Sequence, residues 1–253
     1  MKTLAQKMTL LVALCVALSS CDYSSGNNNA KDKAQYVIAF SWQPAFCETA
    51  KKKRECKSQT AQRYDATHFS LHGLWPQPGS NIYCGVSERE IAKDKKRKWR
   101  ALNTQRIDET IWRDLKRVMP GTQSSLHKHE WVKHGTCYNG ADINAYFADS
   151  LKLMNWINAS SLRWRFEAAI GKQLTGKDIR EAFDRDFGRG AGKRIRISCK
   201  RDQDSGRNMV VELTLGLAGD IASAKALADL VMAAPETDPG CPNGIIDPVG
   251  FQS

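Results

Sequence analysis

Apolar and polar positions along the chain divide it into a short leader, a polar connector and a long folded part. Residues 8–18 form an apolar run behind a short basic stretch, and this run is too short to span a bilayer. Residues 22–34 are rich in Ser, Asn, Lys and Gly, which is the composition of a flexible tether. We therefore expect an export signal peptide over residues 1–21, a tether over 22–34 and one folded domain over 35–253.

Two strands are predicted near the start of the folded part. Residues 36–42 are a largely apolar run ended by Pro44, which indicates a buried strand. Residues 67–72 alternate between polar and apolar, so a strand there would place both of its histidines and Ser70 on one face. The prolines and the glycine of residues 76–79 predict a loop after that strand.

Helices are predicted for the middle of the chain and further strands for its C-terminal part. Helical spacing or helix-start signals mark four stretches: residues 107–119, 129–137, 142–157 and 175–187. Asp142 is a predicted N-cap, and Thr175 and Asp178 have the spacing of a capping box. Residues 194–198 and 209–215 alternate as strands do, with a turn between them. Strands that flank a helical middle favour an α+β fold over regular βαβ repetition.

The chain is strongly basic, with a formal net charge of +11. This balance favours polyanionic partners, either nucleic acid or an anionic membrane surface. Plain solubility is the alternative explanation, and charge alone does not decide between them. The densest basic stretch is residues 89–100, where lysines and arginines surround Trp99.

One cysteine near the start bears on localisation. Cys21 directly follows Leu18-Ser19-Ser20, and this segment resembles a bacterial lipobox, in which the cysteine is lipidated and begins the mature chain. An ordinary cleavage site with a chance cysteine stays open. We expect an exported, periplasmic protein that is either soluble or anchored to the membrane through a lipid on Cys21.

Six cysteines lie in the predicted folded part: Cys47, Cys56, Cys84, Cys137, Cys199 and Cys241. An even number in an exported chain indicates three disulfides, and their pairing is open at this point. A metal site is a weak alternative, because no Cys-x-x-Cys pair exists and the spacings are long.

The histidines are confined to two short windows, which hold His68 and His72 in one case and His127, His129 and His134 in the other. In the second window, a helix would place His129, Glu130, Lys133 and His134 on one arc of its surface. For His68 and His127 we favour a structural role. For the four clustered polar groups, a purely structural role is the weaker explanation.

Paired histidines with a nearby cation suit the cleavage of an RNA phosphodiester. The reaction needs a base for the 2′-hydroxyl, an acid for the departing 5′-oxygen and positive charge beside the phosphorane. Because histidine has an ordinary pKa of about 6.5, one copy can be neutral while another is protonated. Lys133 and a protonated His129 can supply the electrostatic stabilisation.

Competing catalytic classes fit the sequence less well. A zinc-protease helix needs two histidines at positions i and i+4, whereas the position four after His129 is Lys133, a poor ligand. A serine hydrolase is not supported, because no Gly-x-Ser-x-Gly motif is present. A cysteine nucleophile is disfavoured because the cysteines of the folded part are expected to be paired.

At these windows the chain resembles the ribonuclease T2 family of acid endoribonucleases. His72-Gly73-Leu74-Trp75-Pro76 is similar to the first active-site segment of that family, and residues 129–137 (His-Glu-Trp-Val-Lys-His-Gly-Thr-Cys) are similar to the second. The early segment 41–47 adds support. The resemblance covers residues 35–250, and the lysine-rich residues 89–100 are the least family-like part.

The resemblance implies a role for each matching residue. His134 would be the general base and His72 the general acid in transphosphorylation, although the two could exchange roles. His129 would hold the phosphate. Glu130 and Lys133 would polarise it and stabilise the transition state.

The resemblance also implies base-binding groups. Trp75 would stack a base, and core packing is the alternative for its ring. Tyr83 lies where the family often places a second aromatic contact with a base. Gln77 stands where some members carry an acidic base-reading residue, so base preference stays open.

For the whole molecule, the resemblance implies an α+β fold with a central antiparallel sheet and several helices packed around it. It pairs Cys84 with Cys137 and Cys199 with Cys241, which leaves Cys47–Cys56. It implies no metal and no other cofactor. We expect a monomer whose partner is RNA.

The sequence therefore predicts an endoribonuclease that makes 2′,3′-cyclic phosphates on single-stranded RNA and then, more slowly, 3′-phosphates. A catalytically idle RNA-binding lipoprotein of the same fold is the alternative. A third hypothesis is a basic adaptor at a membrane surface, which only the charge and the lipobox support.

Overall fold

The computed structural model describes residues 33–140 and 142–252. In that part of the chain the strands are β1 (Tyr36–Ser41), β2 (Ser70–Pro76), β3 (Gln173–Thr175), β4 (Ile195–Arg201), β5 (Asn208–Leu217) and β6 (Asn243–Ile245). They form one sheet, in which β1 lies between β2 and β5, and β4 pairs with β5. The pairings are antiparallel except for a single parallel contact between β5 and β6. The predicted antiparallel sheet is confirmed.

The helices surround this sheet. Those of the described residues are α1 (Gln43–Thr49), α2 (Arg54–Lys57), α3 (Glu88–Lys95), α4 (Glu109–Val118), α5 (Leu126–Lys133), α6 (Ile143–Asn158), α7 (Ser161–Ala168), α8 (Gly176–Phe187) and α9 (Leu227–Met232). A short 3-10 turn, Gly135–Cys137, follows α5. In the described ranges, no helix is long and apolar enough to cross a membrane.

The core lies between the sheet and the helices. Trp42, at the end of β1, is almost fully buried and packs against Phe69 and Phe166 with edge-to-face or tilted geometry. The Tyr146 hydroxyl of α6 donates to the backbone oxygen of Leu74 in β2 at 2.9 Å. This hydrogen bond ties β2 to α6.

The predicted bounds of the second strand are wrong. β2 starts at Ser70 and continues through Pro76, so the strand begins and ends later than predicted, and the expected loop follows it at residues 77–79. His68 lies before the strand. The pairing with β1 explains the difference, because Tyr36 and Val37 pair with Pro76 and Trp75 and thereby extend the ladder.

The two predicted N-caps and the disulfides are confirmed, whereas the helix predicted over residues 129–137 begins earlier, at Leu126, and ends at Lys133. The Asp142 side chain accepts from two backbone amides of α6, and Thr175 and Asp178 form the reciprocal capping box of α8. The bridges are Cys47–Cys56, Cys84–Cys137 and Cys199–Cys241. The signal peptide, most of the tether and Cys21 lie outside the described residues.

Candidate active site

A β-bulge in β2 sets the direction of His72. The pairing with β1 steps from Ala39 opposite Gly73 to Phe40 opposite Leu71, which leaves His72 as the extra residue. In a regular strand, His72 and Trp75 would point to opposite faces because they are three apart. Both side chains instead approach the same carboxylate of α5. The bulge therefore brings His72 and Trp75 to the same face of the strand.

The end of α5 supplies the other predicted catalytic residues. His129, Glu130 and Lys133 lie within the helix, and His134 is its C-cap residue, with its backbone amide on the Glu130 oxygen at 3.0 Å. The C-terminal turn continues to Cys137, whose disulfide to Cys84 holds it. The four polar residues predicted to lie together are thus all at the C-terminal end of α5, and His134 directly follows its last helical residue.

Glu130 lies at the centre of the cluster and is 1% exposed. Its Oε2 accepts from the Trp75 indole N–H at 2.9 Å. Its Oε1 lies 3.7 Å from His72 Nε2 and 3.8 Å from His129 Nε2. Burial raises the pKa of Glu130, although the neighbouring histidines act in the opposite direction. The Glu130 carboxyl therefore lies between His72 of the first histidine window and His129 of the second.

Gly73 is required by this close packing. A Cβ added at Gly73 would lie 2.1 Å from Glu130 Oε2 and 2.5 Å from Trp75 Nε1. Both distances are far inside van der Waals contact, so any larger residue would displace the carboxylate. The glycine of the first window thus allows strand and helix to approach each other.

A carboxylate on β5 holds the second nitrogen of His72. Glu212 Oε2 lies 2.5 Å from His72 Nδ1. Burial by itself lowers the pKa of His72, but the hydrogen bond to Glu212 and the charge of Glu130 outweigh burial, so the pKa of His72 is raised. His72 is therefore biased towards its protonated form.

His134 has the opposite bias. Burial and, to a lesser extent, the positive charges of Lys133, His129 and His72 together lower the pKa of His134 to about 3. Its ring centroid lies 5.6 Å from that of Trp75, whose other neighbour is His72 at 5.4 Å. The two candidate acid–base groups therefore flank one indole ring and prefer different protonation states.

His129 is oriented by Asp94 of α3. Its Nδ1 lies 2.7 Å from Asp94 Oδ1, and the Tyr83 hydroxyl donates to Asp94 Oδ2 at 2.7 Å. Burial opposes ionisation of Asp94, but the hydrogen bonds from His129 and Tyr83 outweigh it and lower the pKa of Asp94. Trp99 stacks on the His129 ring at 4.6 Å between centroids.

The two predicted base-binding rings lie beside the cluster. Trp75 and Tyr83 are both partly buried, and each is held by a carboxylate through its polar atom, on Glu130 and Asp94 respectively. The Tyr83 backbone amide also donates to the Lys133 oxygen at 2.9 Å. Base stacking by these rings stays a prediction.

Three residues near the site were not predicted: Glu212, Asp94 and Trp99. Each carried a signal in the sequence. Glu212 lies on the polar face of a predicted strand, together with Thr214. Asp94 is an acid inside a run of cations, and Trp99 is an aromatic residue inside the same run. None of these signals indicates a partner, because the contacts form only when distant segments pack together.

The remaining histidines lie elsewhere. His68 stacks on Tyr64, and His127 packs against Trp112 with a pKa that burial lowers to about 4. Across residues 33–140 and 142–252, no group of three or more His, Cys, Asp or Glu side chains could hold a metal ion.

Comparison with known sequences agrees with this geometry. Residues 33–227 match the sequence model of the ribonuclease T2 family. Ribonuclease I of Escherichia coli (strain K12) is 27% identical over 94% of this chain and 97% of its own length. Human ribonuclease T2 is 30% identical over 64% of this chain and 59% of its own length.

Comparison with solved structures concerns the fold. The crystal structure of Actibind, a T2 ribonuclease, superposes with a TM-score of 0.51 over 87% of this chain and 89% of that chain, at 16% identity. With a family match that spans most of the chain and the two histidine windows joined at Glu130, the chain belongs to the ribonuclease T2 family of endoribonucleases.

Proposed function

We propose that this endoribonuclease cleaves single-stranded RNA by transphosphorylation, with His134 as the general base and His72 as the general acid. The 2′-oxygen attacks the adjacent phosphorus, His134 accepts the 2′-hydroxyl proton, and His72 donates a proton to the departing 5′-oxygen. The products are a 2′,3′-cyclic phosphate and a free 5′-hydroxyl. Slower hydrolysis of the cyclic phosphate to a 3′-phosphate uses the same residues with their roles reversed.

The opposite protonation preferences of the two histidines carry this proposal. A base must be neutral before it acts, and the pKa of about 3 at His134 supports that state near neutral pH. An acid must be protonated, and the raised pKa of His72 supports that state. Glu212 occupies His72 Nδ1, which leaves Nε2 as the nitrogen that would face the leaving group. The sequence alone left the two roles exchangeable.

Phosphate stabilisation is assigned to the remaining groups of α5. We propose that His129 binds a phosphate oxygen through Nε2, because Asp94 holds its Nδ1. Lys133 adds positive charge where the phosphorane gains negative charge. Glu130, whose pKa is raised by burial, would polarise the phosphate as a hydrogen-bond donor when it is protonated.

One activated substrate, compared with ordinary RNA, separates the acid from the base. A nucleoside 3′-(p-nitrophenyl phosphate) has a leaving group that needs no proton. On ordinary RNA, His72→Ala and His134→Ala should each lose about 100- to 10,000-fold in kcat, because general acid–base catalysis contributes that much. On the activated ester, His72→Ala should regain most of its rate and His134→Ala should not. The reverse pattern would exchange the two roles.

Export is proposed on separate grounds. Three disulfides support folding in an oxidising compartment. Together with the leader pattern and the segment that ends at Cys21, they favour a periplasmic enzyme that is lipid-anchored through that cysteine. The alternative, a catalytically idle RNA-binding lipoprotein, predicts a protein that binds RNA but does not cleave it.

A further inference from the structure

A dense basic segment lies directly beside the active site and is not used by the reaction. Residues 95–100 contain five cations, all exposed. In the part of the chain that the structure describes, none of these five forms an ion pair with a carboxylate, unlike Lys93, which pairs with Glu90. Such a concentration of unneutralised charge at one place favours binding of a polyanion.

The segment is fixed to the catalytic helix. Asp94, at its start, accepts from His129, and Trp99, within it, stacks on the same ring. The Lys128 ammonium donates to the backbone oxygens of Arg100 at 3.3 Å and Leu102 at 2.8 Å. The cations therefore keep a defined position next to the phosphate-binding histidine.

A basic cleft continues from the same point. Lys53 Nζ lies 4.9 Å from the centre of the Trp99 ring. Lys53 also lines a cleft of about 820 Å³ between the α1–α2 connection and the β4–β5 turn. The cations of this cleft without a carboxylate partner among the described residues are Lys52, Lys53, Lys200 and Arg201. Lys51, by contrast, pairs with Asp204 and Glu48.

We propose that the cations of residues 95–100 and of this cleft form one basic surface that binds the RNA backbone beyond the scissile bond, on the His129 side. The substrate class is thus a long single-stranded RNA rather than a dinucleotide. The inference rests on the proposed ribonuclease mechanism for the position of the cleaved bond. A cleft admits a single strand, whereas a flat lipid surface cannot enter it, so RNA is favoured over a membrane.

Two triple variants test the basic surface. These are Lys95→Gln/Lys96→Gln/Lys98→Gln in the segment and Lys52→Gln/Lys200→Gln/Arg201→Gln in the cleft. A matched control, Lys172→Gln/Arg185→Gln/Arg189→Gln, removes three exposed cations on and around α8, which packs mainly on α7 and the C-terminal elements. Cleavage of a long single-stranded RNA and of a dinucleoside phosphate is measured for each.

On the long RNA, each basic-surface variant should lose about tenfold in kcat/KM, mainly through KM. The plot of log kcat/KM against log salt concentration should become shallower by about 2, because each lost phosphate contact contributes about 0.7 for single strands. Cleavage of the dinucleoside phosphate should stay close to that of the unaltered protein, which also reports intact folding. The control should match the unaltered protein on both substrates.

Three outcomes would overturn the basic surface: control-like kinetics on long RNA, an equal loss on the dinucleoside phosphate, or weaker binding to anionic phospholipid vesicles with unchanged RNA kinetics. The affinity of long RNA for the same triple variants, measured in a His72→Ala background, tests the basic surface independently of cleavage. If the proposed chemistry fails, unaltered RNA affinity in those variants would still reject the surface, and weakened affinity would support it.

Discussion

At the scale of single residues, the site depends on carboxylates that orient histidines. Glu212 holds His72 and Asp94 holds His129, while Glu130 lies between the two rings. A charged partner on one imidazole nitrogen fixes the ring and decides which nitrogen remains for substrate. We therefore propose that Glu212 is a positioning residue, which acts on the reaction through His72.

Glu212→Gln should lower the pKa of His72. Because the acid must be protonated, the alkaline limb of the kcat/KM profile should move to lower pH, while the acidic limb, set by His134 near pH 3, stays in place. Glu236→Gln, an exposed residue paired with Lys193, is the matched control. An unchanged alkaline limb in Glu212→Gln would reject this role.

The site residues that could be predicted from the sequence are those that lie close together along the chain. The candidate catalytic residues lie in the pentapeptide at residues 72–76 and the nonapeptide at 129–137, where their residue types indicate the chemistry. Glu212 could not be assigned, because its contact depends on β5 pairing with β1, which places it opposite Ser41. Asp94 reaches His129 only through the packing of α3 on α5.

At the scale of elements, the candidate active site is the junction between β2 and α5. The bulge turns His72 towards α5, and Gly73 allows the close approach. The alternating pattern predicted a regular strand, since a bulge is a feature of pairing register that a single segment does not show. The Cys84–Cys137 disulfide then ties the loop that carries Tyr83 to the end of α5.

Removal of that disulfide should affect both stability and activity. Cys84→Ala/Cys137→Ala opens a loop of 53 residues and should cost about 4 kcal/mol of unfolding free energy by the chain-entropy relation. Cys47→Ala/Cys56→Ala, with a separation of 9 residues, should cost about 2.5 kcal/mol. Only the first variant should also lose kcat/KM while still folded, because it frees the segment next to His134. Denaturant unfolding measures the two stability losses, and kinetics below the unfolding transition measure the activity loss. Equal activity in the two variants would contradict the expected link between the Cys84–Cys137 bridge and activity.

At the scale of the whole molecule, the positive charge is unevenly placed. The sequence predicted a polyanionic partner from the net charge of +11 but left nucleic acid and membrane open. The fold concentrates exposed cations beside His129, which composition could not reveal because it depends on how α3 and the α1–α2 connection meet at Trp99.

Lipidation of Cys21 gives a prediction at the same scale. In a bacterial host, the unaltered protein should fractionate with membranes, and its mature N-terminal residue should carry the mass of a lipid. Cys21→Ala should fractionate with the soluble exported proteins and keep its activity, because the folded domain begins later. Identical fractionation of the two proteins would reject the anchor and leave a soluble exported enzyme.

Cleavage assays on one RNA and on its DNA counterpart, with EDTA present, show whether the reaction needs the 2′-hydroxyl and whether it needs a metal ion. The two-histidine mechanism requires the 2′-hydroxyl as nucleophile and no metal ion. We expect 2′,3′-cyclic phosphate ends on the RNA, an intact DNA and an unchanged rate in EDTA. Cleavage of both strands, a rate abolished by EDTA, or no cleavage of RNA by folded, oxidised protein would contradict this mechanism.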